Sequence, residues 1–224
     1  RDLVRSRGLG DVYKRQVHNA VHFDRGAGLR TNMERHTKEI KKAANYMRGK
    51  KKKNEFEQIA LGAVDTFFRE ADEASRNINS KRFDERFDRM EQTNELVHGS
   101  YNYHNVFLDV GNGGNAVTNF EKCHNDCQVA DLYQFLRKVM EKHDWNINVA
   151  YRLVDEYDRL KPLEDDDIDM LVTLLSFPEK FWKIINQYYN AGKAWVPAKN
   201  IDKLKIVIEQ NMRRRELIDK MCGM

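Results

Sequence analysis

The chain has 224 residues, of which 33% are charged, and a net charge of +4. That length suffices for one domain with its own core, and no apolar run approaches the ~18 residues of a membrane span. Both signs of charge are interspersed, which reads as self-solubility rather than a nucleic-acid footprint. Three cysteines point to a reducing compartment rather than a disulfide framework.

The chain opens on Arg1, and Asp11-Val12-Tyr13-Lys14-Arg15-Gln16 is similar to translated sequencing-adapter sequence. Residues 1–16 are therefore set aside as a non-native segment; the alternative is a genuine basic N-terminal arm. On the first reading, residues 17–224 are the C-terminal part of a longer protein. From Thr31 the pattern turns helical: Thr31 or Asn32 can cap, Glu34 falls in the first turn, and Met33, Ile40, Ala44 and Met47 recur on one face. Gly49 breaks that helix and Lys50 to Lys53 follow, a run that reads as a solvated loop before it reads as a phosphate contact. Phe56, Ile59, Ala60, Ala63, Phe67, Ala71 and Ala74 then form the stripe of a buried helix. A third, short helix carries Phe83, Phe87 and Met90, so helices fill about 31–93.

Strands are expected at Leu96 to His98, Val106 to Val110 and Ala116 to Phe120, with Gly111-Asn112-Gly113-Gly114 turning between the last two. This loop and hairpin occupy about 95–121. The remainder, about 131–220, reads as helix over 131–142, 146–160, 165–190 with a break near Pro178, and 199–220. Helices, one small hairpin, then helices again give a mainly α fold.

The run Leu96-Val97-His98-Gly99-Ser100-Tyr101-Asn102-Tyr103-His104-Asn105-Val106-Phe107-Leu108 carries the chemistry. A short apolar strand enters His-Gly, a polar loop follows, and an Asn leads into a second strand. This layout resembles the phosphotransferase loop H-G-D-x-x-x-x-N, with Ser100 in place of the Asp. Asn119-Phe120-Glu121 on the later strand resembles the pattern Asp-Phe-Asp or Asp-Phe-Glu, with Asn119 in place of the metal-holding Asp. Gln128 to Met140, containing Asp131-Leu132, and Phe177-Pro178-Glu179-Lys180-Phe181-Trp182 follow in order. Together these are similar to the kinase-like fold of aminoglycoside and choline phosphotransferases, and within it to CotS-type spore coat proteins. The likeness runs from about Val17 to the C-terminus.

The resemblance implies the C-terminal lobe of a protein kinase-like fold, and an N-terminal lobe in cis that supplies a glycine-rich nucleotide loop and a phosphate-pairing Lys. Gly8-Leu9-Gly10 and Gly26-Ala27-Gly28 are the nearest glycine clusters here, and neither has the G-x-G-x-x-G spacing. In phosphoryl transfer the loop Asp takes the proton of the attacking hydroxyl, while the Asn and the later Asp hold magnesium on ATP. The resemblance thus places His98 as loop organiser, Ser100 at a degenerate base position, and Asn105, Asn119 and Glu121 at degenerate magnesium–ATP positions. Gly99 sits where no side chain is tolerated. Asp131 is expected to support the loop and cap its own helix, so Asp131→Ala should cost ~1 kcal/mol or more through the lost cap.

Other constellations are weaker. Ser100 and His104 are four residues apart, a spacing that fixes no geometry. Glu121 and Asp126 with Asn105 could hold one metal weakly. Cys123-His124-Asn125-Asp126-Cys127 offers C-x₃-C without a second cysteine pair, while structural zinc needs four ligands.

Three functions follow. The first is a catalytically impaired spore-coat scaffold or interaction module, located in the mother-cell cytoplasm and then the coat, with other coat proteins as partners and no nucleic acid. The second is an active phosphotransferase using ATP and magnesium. The third is a basic module binding anionic polymers through Lys50 to Lys53 and Arg213-Arg214-Arg215.

Overall fold

The computed structural model describes residues 4–5, 28–110, 114–191 and 198–223. The rest of the segment set aside as 1–16, both glycine clusters up to Gly28, and the turn residues 111–113 lie outside the described residues. In chain order the elements are β1 (Val4–Arg5), α1 (Leu29–Gly49), α2 (Glu55–Ile78), a 3₁₀ turn (Lys81–Phe83), α3 (Asp84–Thr93), β2 (Leu96–Val97), β3 (Val106–Val110), β4 (Gly114–Val117), a second 3₁₀ turn (Phe120–Lys122), β5 (His124–Asn125), α4 (Val129–Met140), α5 (Ile147–Leu160), α6 (Asp165–Ser176), α7 (Glu179–Asn190) and α8 (Ala198–Met221).

α1 begins at Leu29, and its cap is neither Thr31 nor Asn32. No side chain of its own N-cap residue, Gly28, bonds the first turn. The buried carboxylate of Asp126 instead accepts from the Leu29 N–H at 3.1 Å, across 97 residues. α2 is capped locally: Asn54 and Glu57 form a capping box, each side chain accepting the other's N–H at 2.9 Å. Glu57 is fully buried and takes Lys50 Nζ at 2.6 Å and the Tyr188 hydroxyl at 2.5 Å. Burial alone would raise its pKa; these donors outweigh burial and hold the carboxyl below its ordinary value.

α2 runs through the core, packed on α1, α6 and α8. Its apolar stripe meets α7 where Phe67 stacks on Phe181, centroids 4.1 Å apart. Phe177 and Phe181 are core residues. Trp182 lies on the His36 ring at 3.4 Å and donates from Nε1 to Glu39 at 2.8 Å. The run from Phe177 to Trp182 thus joins α7 to α1. Among the described residues no helix is long and apolar enough to cross a membrane.

Two small antiparallel sheets lie between α3 and α4. β3 pairs with β4, Val106 opposite Val117, and β1 adds to the other side of β4 with Val4 opposite Val117. β2 pairs with β5, Leu96 opposite Asn125, a pairing absent from the one-hairpin expectation. The third expected strand, 116–120, is corrected to Gly114–Val117. Asn119 has φ +71°, which leaves the extended region and opens the 3₁₀ turn.

Candidate functional site

β2 delivers the chain into the loop, and the loop is held from α4. Asp131 is buried in the first turn of α4, and its two carboxylate oxygens accept from His98 N–H at 2.5 Å and Gly99 N–H at 3.1 Å. The side chain of the α4 N-cap residue, Gln128, makes no cap bond of its own. Removing Asp131 costs the loop its acceptor for two amides. Asp131→Ala is expected to destabilise the protein by about 2–4 kcal/mol, because both donors lose a charged acceptor. Urea unfolding checks this, and a loss below ~1 kcal/mol would remove Asp131 as the loop's anchor.

His98 is fully buried and its ring has a defined tautomer. The Ser100 N–H donates to Nδ1 at 3.2 Å, so Nε2 carries the proton and donates to the Thr118 carbonyl at 2.8 Å. Gly99 has φ +69° and lies beneath the 3₁₀ turn of residues 120–122. Asn105 is buried and donates from Nδ2 to the Ser100 carbonyl at 2.7 Å, closing the loop on itself. Its Oδ1 accepts from Asn119 Nδ2 at 3.2 Å. His98, Gly99, Ser100, Asn105, Asn119 and Asp131 thus form one cluster.

The donor set at the Asn105–Asn119 pair is two neutral amides, one of whose oxygens is already accepting a hydrogen bond. A hard divalent cation favours carboxylates, so this pair does not fit magnesium. Glu121 is exposed in the 3₁₀ turn. Asp126 is engaged elsewhere: it accepts from the N–H groups of Leu29 and Cys127 and lies 3.7 Å from His124 Nε2. Among the described residues no group of three or more His, Cys, Asp or Glu could hold a metal.

The Ser100–His104 pairing is not formed either. His104 is exposed, its ring 4.3 Å from Tyr103, and the ring beside Ser100 is that of His98. Cys123 and Cys127 are thiols rather than thiolates: burial pushes them up to about 11 and about 12. Of the two basic runs, Arg213 pairs with Asp144 at 2.6 Å while Arg214 and Arg215 reach Glu70.

Arg86 was missed by sequence reasoning. It is buried, grips Glu95 through two nitrogens at 2.9 and 2.8 Å, and donates from Nε to Asp167 at 2.7 Å. Glu95 also accepts the Gln128 N–H at 2.9 Å. One guanidinium therefore ties α3 to the entry of β2, the start of α4 and the start of α6. Burial would lower its pKa; the Glu95 hydrogen bonds and Asp167 reverse this and hold it above the ordinary value. The only signal in the sequence is an Arg on α3 with acids at Glu95 and Asp167, a common surface pattern.

No protein-family model matches the chain, and no curated protein does. Among solved structures it is similar to the aminoglycoside phosphotransferase from Alicyclobacillus acidocaldarius, with TM-score 0.78 and 16% identity over 87% of this chain. The chain spans 57% of that protein's length. At such identity the likeness is one of fold: this mostly helical chain, with its small antiparallel strand pairs, has the kinase-like aminoglycoside phosphotransferase fold.

Proposed function

We propose that the chain is a kinase-like module whose phosphotransfer loop survives as structure while its chemistry is strongly reduced. On the sequence resemblance, it acts as a scaffold or interaction module of the spore coat, first in the mother-cell cytoplasm and then in the coat, with other coat proteins as partners. The observation that carries the reduced chemistry is the amide pair, Asn119 Nδ2 to Asn105 Oδ1 at 3.2 Å. It puts a neutral hydrogen bond where the phosphotransferase pattern has a carboxylate and a metal. The His98 ring does not activate the Ser100 hydroxyl, because its Nδ1 lone pair is taken by the Ser100 N–H.

The second reading is an active ATP-dependent small-molecule phosphotransferase. What favours it is the loop frame: Asp131 on the His98 and Gly99 amides and Asn105 on the Ser100 carbonyl. The two readings separate in the melting temperature of the complete gene product with magnesium and ATP. The natural protein is expected to show no shift. Ser100→Asp with Asn119→Asp is expected to gain roughly 5–10 °C at about 100 Kd of ligand, since ligand binding only the folded state stabilises it. A magnesium-dependent shift in the natural protein restores the phosphotransferase reading.

A further inference from the structure

The net charge of +4 conceals an uneven distribution. Residues 29–53 hold ten lysines and arginines against two glutamates. Several of these cations are engaged: Arg30 with Asp84, Lys38 with Glu34, Arg48 with Asp65, Lys50 with Glu57, and Lys53 on the Lys50 carbonyl. Lys41, Lys42, Lys51 and Lys52 are exposed and carry no ion pair among the described residues. Arg35 is also exposed and reaches only Asn32 and His36. On α1, Arg35 and Lys42 lie opposite the buried side formed by Met33, Ile40, Ala44 and Met47, and Lys41 lies on its flank. The α1 members span about 10 Å along the helix, and Lys51 and Lys52 add two further cations in the loop after it.

The acidic stretch of residues 164–169, which a second copy would present, is largely answered internally: Arg89 holds Glu164 and Asp166, Arg86 holds Asp167, and Arg82 holds Asp169, which leaves Asp165 exposed. The α1 face has no apolar anchor either. Its one large exposed hydrophobic residue, Tyr46, is 36% exposed and packs edge-on against Tyr189. A protein hot spot or an inserting membrane helix needs such anchors. Lysines act as point charges on flexible stems, suited to phosphates repeated along a chain.

We propose that Arg35, Lys41, Lys42, Lys51 and Lys52 bind a linear phosphate polymer, the chemistry shared by a nucleic-acid backbone and inorganic polyphosphate. The inference is independent of the phosphotransfer loop and overrides the expectation of no nucleic-acid partner drawn from the mixed net charge. The test is fluorescence anisotropy of the full chain with a labelled random-sequence DNA duplex and with labelled polyphosphate, at 50 and 200 mM NaCl. Four or five phosphate contacts predict a loss of affinity on the order of 100-fold or more across that range for the duplex. Lys41→Glu, Lys42→Glu, Lys51→Glu and Lys52→Glu combined should abolish binding, and the corresponding Gln variant should weaken it. Arg213→Gln with Arg215→Gln should leave it intact, since both arginines are already paired. The Gln variant also supplies the result if the Glu variant melts early. Preference for the duplex or for polyphosphate names the source of the phosphate, and either supports the proposal. Absent binding, salt-insensitive binding, binding retained by both lysine variants, or equal binding to vesicles of anionic lipid would overturn it.

Discussion

Arg86→Ala is expected to destabilise the protein by about 3–5 kcal/mol, because it strips Asp167 and Glu95 of their hydrogen-bonded counter-charge while leaving them little solvent. The side chains of these two acids are only 11% and 16% exposed, so water cannot replace the guanidinium. The Glu95 carboxylate would also remain fixed on the Gln128 N–H and unable to turn outward without losing that bond. The effect should reach the loop, since Glu95 immediately precedes β2 and Gln128 opens α4, which carries Asp131. Urea denaturation gives the stability, and amide exchange at His98 and Gly99 gives the loop. A loss below ~1 kcal/mol would mean that the acids find other partners. Replacing Arg86, Glu95 and Asp167 together by apolar residues of similar volume should cost less than the single change, since no charge is then stranded.

Gly99→Ala carries the second large expected effect, at least about 3 kcal/mol or failure to fold. A Cβ there would stand 2.1 Å from the Lys122 carbonyl oxygen and 3.1 Å from His124 Nδ1. The obstacle is backbone, so relief requires moving the 3₁₀ turn that follows Asn119. The φ of +69° adds ~1–2 kcal/mol for any residue with a Cβ. Gly62→Ala is the matched control with the opposite sign. It lies inside α2 with nothing within 4 Å of an added Cβ, and should stabilise by about 0.5–1 kcal/mol. Paired thermal melts decide the matter; if Gly99→Ala melts like the natural protein, the turn is softer than its contacts imply.

Helices were legible in this sequence because their signals are local and repeated. The interval 165–190 with a break near Pro178 resolves into α6 and α7, since Phe177 and Pro178 cannot continue a helical ladder. The third strand was misjudged because its end is set from a distance: the Thr118 carbonyl is drawn to the His98 ring and Asn119 turns left-handed. β5 was invisible for a similar reason, as a two-residue strand exists only through its pairing with β2. In the site, His98 to Asn105 lie within one short run, and their proximity needs little tertiary information. What the sequence hides is which partner each polar group takes. Asp126 and Asp131 are both acids near the start of α4, yet one caps α1 and the other holds the loop. Their roles separate only once the helices have packed.

The bond from Leu29 N–H to Asp126 sets an order of events during synthesis. α1 emerges from the ribosome early, but the acceptor for its first amide follows 97 residues later. At 5–20 residues per second that is a delay of roughly 5–20 s. Through that interval the first turn of α1 frays against water while α2, with its cap supplied by neighbours at Asn54 and Glu57, can close at once. The first turn of α1 therefore gains its cap only once Asp126 has been made, whereas the cap of α2 comes from residues beside it.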